Sequence, residues 1–367
     1  MAKRPLTSVL ACAALFLTAA PASAIIDGLE NDDLFHQPGS YWYGMSWDNV
    51  YSTRSGTSVA IGYFTILTAN HYSFGVGNTF FAPNGDEFEV VSAQNVKENP
   101  DDSVAHDLRI LTVKNNTESL RPLPGFYELY DGPLTSVPQL ALVGTGYSGT
   151  VHAFESYRQE DSTGRAKRWG TNKYTYSNTR TEGGLTTAGF TMDFYWGGSD
   201  NESGYATGDS GGGVFIKDGD TWKLAGIHLY RDGYPGWWSD IYAASVPEYA
   251  DWLNDFLKDD LLPGDTDLDG SVDVEDYLTV KRYLGTTSGA AWERGDFDAD
   301  GDVDRDDYRA ILVNFGYTSQ GHPPMIPPPS AGWPGGASSG AVPEPAVLGL
   351  LAVAAPWLVR RRLRRRR

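Results

Sequence analysis

Apolar and polar residues alternate in short blocks along most of the chain. Between Ile25 and about Lys258, runs rich in β-branched and aromatic residues, such as Ser58 to Leu67, Leu108 to Val113 and Gln139 to Val143, are cut off by Gly, Asn, Asp and Pro. Short runs bounded by turn formers predict strands, so an all-β sandwich or barrel is expected over residues 25–258. The rhythm changes at Val246 to Leu257, where Tyr249, Trp252, Leu253 and Phe256 recur at helical spacing and predict one amphipathic helix closing that domain. A second unit, residues 262–317, repeats with a period of 31 residues: Asp265 matches Asp296, Gly270 matches Gly301, Tyr277 matches Tyr308 and Gly285 matches Gly316. Residues 318–342 are rich in Pro, Gly and Ser, lack apolar periodicity, and read as a flexible or extended linker.

Two longer apolar stretches lie at the ends. Residues 1–24 carry Lys3 and Arg4, then Val9 to Ala20, then Ala22, Ser23 and Ala24, the order of parts in a secretory signal with a cut after Ala24. Residues 343–367 place Pro343, Glu344 and Pro345 before an apolar run, Ala346 to Val359, and seven arginines among Arg360 to Arg367. That run is short for a spanning helix, and the basic cluster would hold its end at the cytoplasmic face.

Composition narrows the picture. Of 367 residues, 41% are hydrophobic and 21% charged, enough buriable surface for a sizeable core. The net charge is −18, and the body is more acidic still, because Lys3, Arg4 and the seven terminal arginines sit in the end segments. So acidic a body repels nucleic acid and attracts multivalent cations. The single cysteine, Cys12, lies in the amino-terminal apolar run, so the mature chain would form no disulfide.

Acyl transfer from an amide needs a hydroxyl nucleophile, an imidazole to carry its proton, a carboxylate to orient the imidazole, and donors for the oxyanion. His71 follows the apolar run ending Leu67-Thr68-Ala69, Asp107 opens the run Leu108 to Leu111, and Ser210 lies in Gly208-Asp209-Ser210-Gly211-Gly212-Gly213. These three are the candidate catalytic residues. Glycines beside a serine let the backbone turn tightly and aim N–H groups at a substrate carbonyl.

The segments Thr68 to His71, Asp107 to Leu111 and Gly208 to Gly212, in the order His, Asp, Ser, resemble those of the trypsin and chymotrypsin family. Subtilisins and α/β-hydrolases carry the same groups in other orders. The resemblance spans roughly Ile25 to Lys258. It implies two packed six-stranded antiparallel barrels with a C-terminal helix, an oxyanion hole from the N–H groups of Gly208 and Ser210, and a peptide or protein substrate. It also implies that the Ile25 amine, in Ile25-Ile26-Asp27-Gly28, pairs with Asp209, so that signal cleavage itself would create the active amino terminus. By the same likeness Gly204 lines the floor of the specificity pocket, which removes the acid that selects Lys or Arg. His228 and Arg231 fall on the pocket wall, where a histidine in glutamate-specific relatives accompanies acidic substrates. The family's disulfides are absent.

Calcium takes six to eight oxygen ligands, which alternate residues of a short loop can supply when glycine permits the turn at the sixth position. The first repeat offers Asp265, Asp267, Asp269, the Ser271 carbonyl, Asp273 and Asp276. The second offers Asp296, Asp298, Asp300, the Asp302 carbonyl, Asp304 and Asp307. Two structural Ca2+ sites are expected, each followed by one helix, with Tyr277, Val280 and Leu284 on the first and Tyr308, Ile311, Leu312 and Phe315 on the second forming packed faces. The repeat resembles a dockerin, a small α-helical module whose relatives plug into cohesin partners; an internal calcium brace is the alternative. The tail resembles a PEP-CTERM sorting signal. That likeness implies transient membrane association, cutting by an exosortase-like enzyme, and delivery to a bacterial envelope, cell surface or medium. No cofactor is expected for catalysis. A catalytically inactive envelope scaffold acting through the calcium module, and an esterase using the same three residues, are the competing readings.

Overall fold

The computed structural model describes residues 32–98, 103–136, 139–147, 149–152, 155–159, 165–195, 202–232 and 238–318. The expectations for residues 1–24, for Ile25, for the linker from residue 319 and for the tail lie outside the described residues. Two compact units are present. Among the described residues, the first runs to Pro263 and takes in Asp269–Ser271, Tyr317 and Thr318; the second comprises Gly264–Leu268 and Val272–Gly316.

In the first unit a one-turn helix, α1 (Asp33–His36), buries Phe35. Six strands follow: β1 (Val50–Ser52), β2 (Thr57–Ala60), β3 (Thr65–Thr68), β4 (Thr79–Phe81), β5 (Glu87–Asn95) and β6 (Arg109–Asn115). They form one antiparallel sheet in the order β1-β2-β3-β6-β5-β4. The sheet coils until its outer strands meet, with the Tyr51 and Phe80 rings 4.9 Å apart. Every residue of β2 and β3 is buried, which is why Ser58 to Leu67 reads as a continuous run instead of an alternating one.

Nine further strands follow: β7 (Leu140–Gly144), β8 (Gly149–His152), β9 (Glu155–Gln159), β10 (Arg168–Asn172), β11 (Tyr176–Glu182), β12 (Leu185–Tyr195), β13 (Gly213–Asp218), β14 (Thr221–Arg231) and β15 (Trp238–Ser245). Seven make an antiparallel sheet, β10-β7-β13-β14-β15-β12-β11, while β8 and β9 form a separate ribbon. The fold is therefore mostly β with two antiparallel sheets, as expected, but the second sheet has seven strands where six were expected. The extra edge strand, β11, is a polar run whose residues are all exposed or half-buried, so it carries no apolar signal. It joins β12 through Gly183 and Gly184, both at positive φ, the conformation that tight hairpin turns require.

The expected closing helix is α2 (Val246–Leu257). Tyr249 and Leu253 are fully buried, and Trp252 and Phe256 pack against the same core. Just beyond it, the Asp260 carboxylate accepts the Phe64 N–H at 3.0 Å, and burial pushes its carboxyl up to about 6.

The second unit has two helices, α3 (Val274–Tyr283) and α4 (Arg305–Asn314), each entered from an acidic loop. Asp273 and Asp304 cap them, accepting the N–H of Glu275 and Asp306, and Asp276 and Asp307 reach back to complete reciprocal capping boxes. Val280 and Ile311 are buried as expected, and Tyr277 and Tyr308 approach with ring centroids 6.2 Å apart. Leu312 and Phe315, expected in the packed face, are 49% and 44% exposed; Ala310 is buried in their place.

Candidate active site

The register of one strand pair brings two of the distant residues together. β3 and β6 run antiparallel with Thr68 opposite Arg109. Continuing the register places Asn70 and His71, just past the end of β3, beside Asp107, just before β6 begins. Asp107 Oδ1 accepts the N–H groups of Asn70 and His71 at 2.9 and 2.8 Å, and Oδ2 lies 2.7 Å from His71 Nδ1. Asp107 is fully buried, and its own N–H donates to Thr187 Oγ1 at 2.8 Å. Neither oxygen of the carboxylate is left over, so it has no freedom to rotate away from the imidazole.

Ser210 arrives from the second sheet, in the turn before β13. Its carbonyl accepts the Thr57 N–H at 2.8 Å, the neighbouring Gly211 N–H donates to the His228 carbonyl at 2.8 Å, and its Oγ lies 2.9 Å from His71 Nε2. The turn requires glycine at two positions. Gly208 has φ +93, and a Cβ on Gly211, at φ +85, would lie 2.0 Å from the Thr57 carbonyl oxygen. Among the described residues, the N–H groups of Gly208 and Ser210 have no acceptor within the protein. Two backbone donors are thus left available beside the Ser210 hydroxyl.

Groups that the sequence did not reveal frame this centre. The Tyr230 ring stacks on His71 at 5.6 Å, and burial together with a hydrogen bond to Asp107 pushes its hydroxyl up, keeping it protonated. Arg165 threads among backbone carbonyls, donating to Thr53 at 2.9 Å, Gly56 at 2.8 Å and Thr145 at 2.9 Å, and so props the segment against which Gly208 turns. Neither residue stands in a motif; each acts through contacts made only after folding.

Asp209, the expected partner of the Ile25 amine, is fully buried. Its oxygens accept the N–H groups of Gly146 at 2.8 Å and Ala206 at 2.7 Å. Burial pushes its carboxyl up to about 7, against the pull of those donors and of Arg165 and Arg168. Ile25 lies outside the described residues.

A cavity of about 280 Å³ adjoins Ser210, lined by Tyr205, Ala206, Thr207, Gly208, Leu229, Tyr230 and Arg231, with Glu182 and Asp232 at its polar side. Of the three residues expected here, Arg231 lines it, donating to the Tyr205 carbonyl at 3.2 Å. Gly204 and His228 are buried and do not line it. Tyr205, one residue beyond Gly204, takes that wall and stacks on the His228 ring at 3.9 Å. Burial pulls the His228 imidazole well below its ordinary value, so it is neutral.

Along the repeat, carboxylate oxygens of Asp265, Asp267 and Asp269 lie within 4.8 Å of one another, as do those of Asp296, Asp298 and Asp307, and of Asp302, Asp304 and Asp307. Asp296 Oδ1 and Asp302 Oδ1 are buried without a hydrogen-bond partner. Converging carboxylates with unpartnered buried oxygens fit a hard, oxygen-preferring cation such as calcium. Leu268 and Ala299, at φ 59 and 61, and Gly270 and Gly301, at φ 83 and 91, give both loops the same sharp turn. Asp276 and Asp307 are held by backbone donors, from Thr266 and Asp273 in the first case and Phe297 and Asp304 in the second. Burial raises both carboxyls. Asp300 accepts the Asp302 N–H at 2.9 Å, and the Asp269 carboxylate accepts that of Ser271 at 2.8 Å.

Comparison with known proteins divides along the same line. Residues 263–314 match the family model of the dockerin type I domain. A segment of 68 residues is 38% identical to transmembrane protease serine 5 of Homo sapiens, covering 17% of this chain and 14% of that protein. Among solved structures, neuropsin, a serine protease expressed in the limbic system of mouse brain, is 15% identical, covering 62% of this chain and 98% of its own, at a TM-score of 0.42. A mutant of human heparin binding protein is 14% identical, covering 63% and 96%, also at 0.42.

Proposed function

We propose that residues 25–258 are a serine endopeptidase domain, acting through His71, Asp107 and Ser210, and that residues 262–317 are a dockerin-like module binding two calcium ions. The observation that carries the first part is the unbroken chain Asp107–His71–Ser210, with contacts of 2.7 and 2.9 Å.

Ser210 Oγ attacks the scissile carbonyl carbon as His71 Nε2 takes its proton. The buried Asp107 holds the ring so that Nε2 faces the serine, and stabilises the imidazolium. The free N–H groups of Gly208 and Ser210 receive the negative oxygen of the tetrahedral intermediate. His71 then gives its proton to the leaving amine, the C–N bond breaks, and an acyl ester on Ser210 remains. Water, deprotonated by the same imidazole, attacks the ester; the proton passes to Ser210 as the acid product leaves.

The cavity beside Ser210 receives the acyl-side residue; Arg231 in its wall carries the reading of an acidic residue there, against the Glu182 and Asp232 carboxylates that line the same cavity, with neutral His228 acting through Tyr205. The Ile25 amine, freed by signal cleavage, neutralises Asp209. In the calcium module the ions supply positive charge that lets five acidic side chains share each loop, and the exposed helix residues suit a cohesin-like partner. The signal segment exports the chain, residues 318–342 space the module from residues 343–367, and an exosortase-like enzyme processes that tail at the membrane. The buried, unpartnered Asp296 and Asp302 oxygens support the metal-binding reading; no such observation favours the inactive scaffold or the esterase.

The test is turnover of a casein-type protein, a peptide library and a simple ester by the mature chain and by Ser210→Ala. Peptide cleavage lost in the variant is expected. Ester turnover without peptide cleavage would favour the esterase, and neither activity the scaffold.

A further inference from the structure

A second cavity flanks the catalytic centre and shares no lining residue with the first. It is an open depression of about 530 Å³ lined by Arg54, Ser55, Ser73, Phe74, Gly75, Val76, Asn78 and Arg109. Its walls come from three segments already fixed by the site. Ser73 and Phe74 follow His71 by two and three residues, Arg109 follows Asp107 by two, and Arg54 and Ser55 lead into Thr57, whose N–H holds the Ser210 carbonyl at 2.8 Å.

Chemistry tells the two cavities apart. The first shares Gly208 and Ser210 with the oxyanion donors, so it faces the acyl half of a substrate. The leaving amine departs toward the imidazole that protonates it, and the second cavity is built around the chain that continues from that imidazole. It therefore faces the leaving half.

Its charge is unusual for this protein. In a chain of net charge −18, two arginines line one cavity, and among the described residues neither is ion-paired to a carboxylate. The Arg109 side chain donates only through Nη1, to the Phe74 carbonyl at 3.3 Å, which holds one end of the guanidinium and leaves its other donors available. Arg54 is exposed, and its side chain has no hydrogen-bond partner among the described residues. Two unneutralised guanidiniums with Ser55, Ser73 and Asn78 between them make a socket for a carboxylate, which arginine grips through paired N–H donors.

We infer that Arg54 and Arg109 form a specificity site for an acidic residue of the substrate on the carboxyl-terminal side of the cut. This rests on the endopeptidase reading and adds to it a selectivity for the leaving group, independent of Arg231 in the acyl-side pocket.

The experiment is cleavage of a proteome-derived peptide library by the mature chain, with residues on both sides of each cut counted. Paired peptides differing only by Asp or Glu against Asn or Gln in the first two positions after the cut then give a ratio of kcat/KM. A ratio of roughly tenfold or more favouring the acid is expected, the usual scale of one charge-assisted hydrogen bond. It should shrink toward unity as salt is raised and in Arg54→Gln/Arg109→Gln. The ratio is read within each enzyme, so loss of folded protein cancels, and the salt series needs no variant. A ratio near one, acid enrichment confined to the acyl side, or a preference unmoved by salt overturns the site while leaving the peptidase intact. A chain that cleaves nothing and leaves Ser210 unreactive toward fluorophosphonate overturns the peptidase reading, and this site with it.

Discussion

The two units solve the problem of gathering polar side chains in opposite ways. In the second, the carboxylates that converge come from loops a dozen residues long, repeated at a fixed spacing, and their mutual repulsion would make the arrangement dependent on a cation. In the first, His71, Asp107 and Ser210 come from separate segments, and what joins them is strand register and one turn. The first arrangement is carried by a folded core; on the proposed reading the second would be carried by its ligand. Each should fail under a different treatment.

The largest expected effect is on the first unit. Ser210→Ala should lower peptide hydrolysis by roughly 10⁴ to 10⁶-fold, with an unchanged thermal midpoint, because the half-exposed hydroxyl is not packed into the core. Next, Asp107→Asn should cost about 10⁴-fold in kcat. An amide in place of the buried carboxylate cannot accept the two backbone N–H groups and the ring N–H alike, so the imidazole would be held in the wrong tautomer. Activity assays and circular dichroism together separate these losses from unfolding.

The second unit should fail when calcium is removed. Chelation is expected to abolish its helical signal and open residues 264–316 to proteolysis, while the first unit keeps its near-ultraviolet spectrum and fluorophosphonate reactivity. At calcium one hundred times its Kd the ion contributes about 2.7 kcal/mol. Asp265→Ala with Asp296→Ala should reproduce the chelator's effect, read by limited proteolysis. Loss of both units together under chelation would erase the contrast.

The difference also explains what the sequence disclosed. Local devices were legible: the repeat, the loop glycines, the α2 spacing and the glycine-flanked Ser210 all show in short windows. The His71, Asp107 and Ser210 set was legible because each member sits in a recognisable segment. Tyr230, Arg165 and Thr187 were not, since nothing near them marks a partner that only folding supplies. The pocket wall shows the limit most sharply. Gly204 was expected at the pocket floor, yet the adjacent Tyr205 lines the cavity instead and stacks on His228, a one-residue distinction that strand pattern does not resolve. β11 escaped notice because a polar edge strand has no apolar face to announce it.

A finer prediction concerns pH. The folded-state carboxyl of Asp209 is raised by burial to about 7 from an ordinary 3.8. Between those values the folded chain holds a proton that the unfolded chain has released, so this group makes stability fall as pH rises from about 4 to 7, then level off. A neighbouring Ile25 ammonium would cancel that loss. Denaturant midpoints from pH 4 to 8 should therefore decline more steeply for a chain retaining residues before Ile25 than for the mature chain. Asp209→Asn should flatten the decline in the former, leaving the weaker contribution of Asp260, whose carboxyl is raised to about 6. Identical slopes with and without the extra residues would remove the Ile25–Asp209 pair.

Mapping a fluorophosphonate adduct by mass spectrometry, in the unmodified chain and in His71→Ala, asks directly whether folding has made one hydroxyl a nucleophile. A single adduct on Ser210, lost or slowed by several orders of magnitude when the imidazole is removed, is the expected result. An adduct on another residue, or one on Ser210 that forms equally fast without His71, would contradict it.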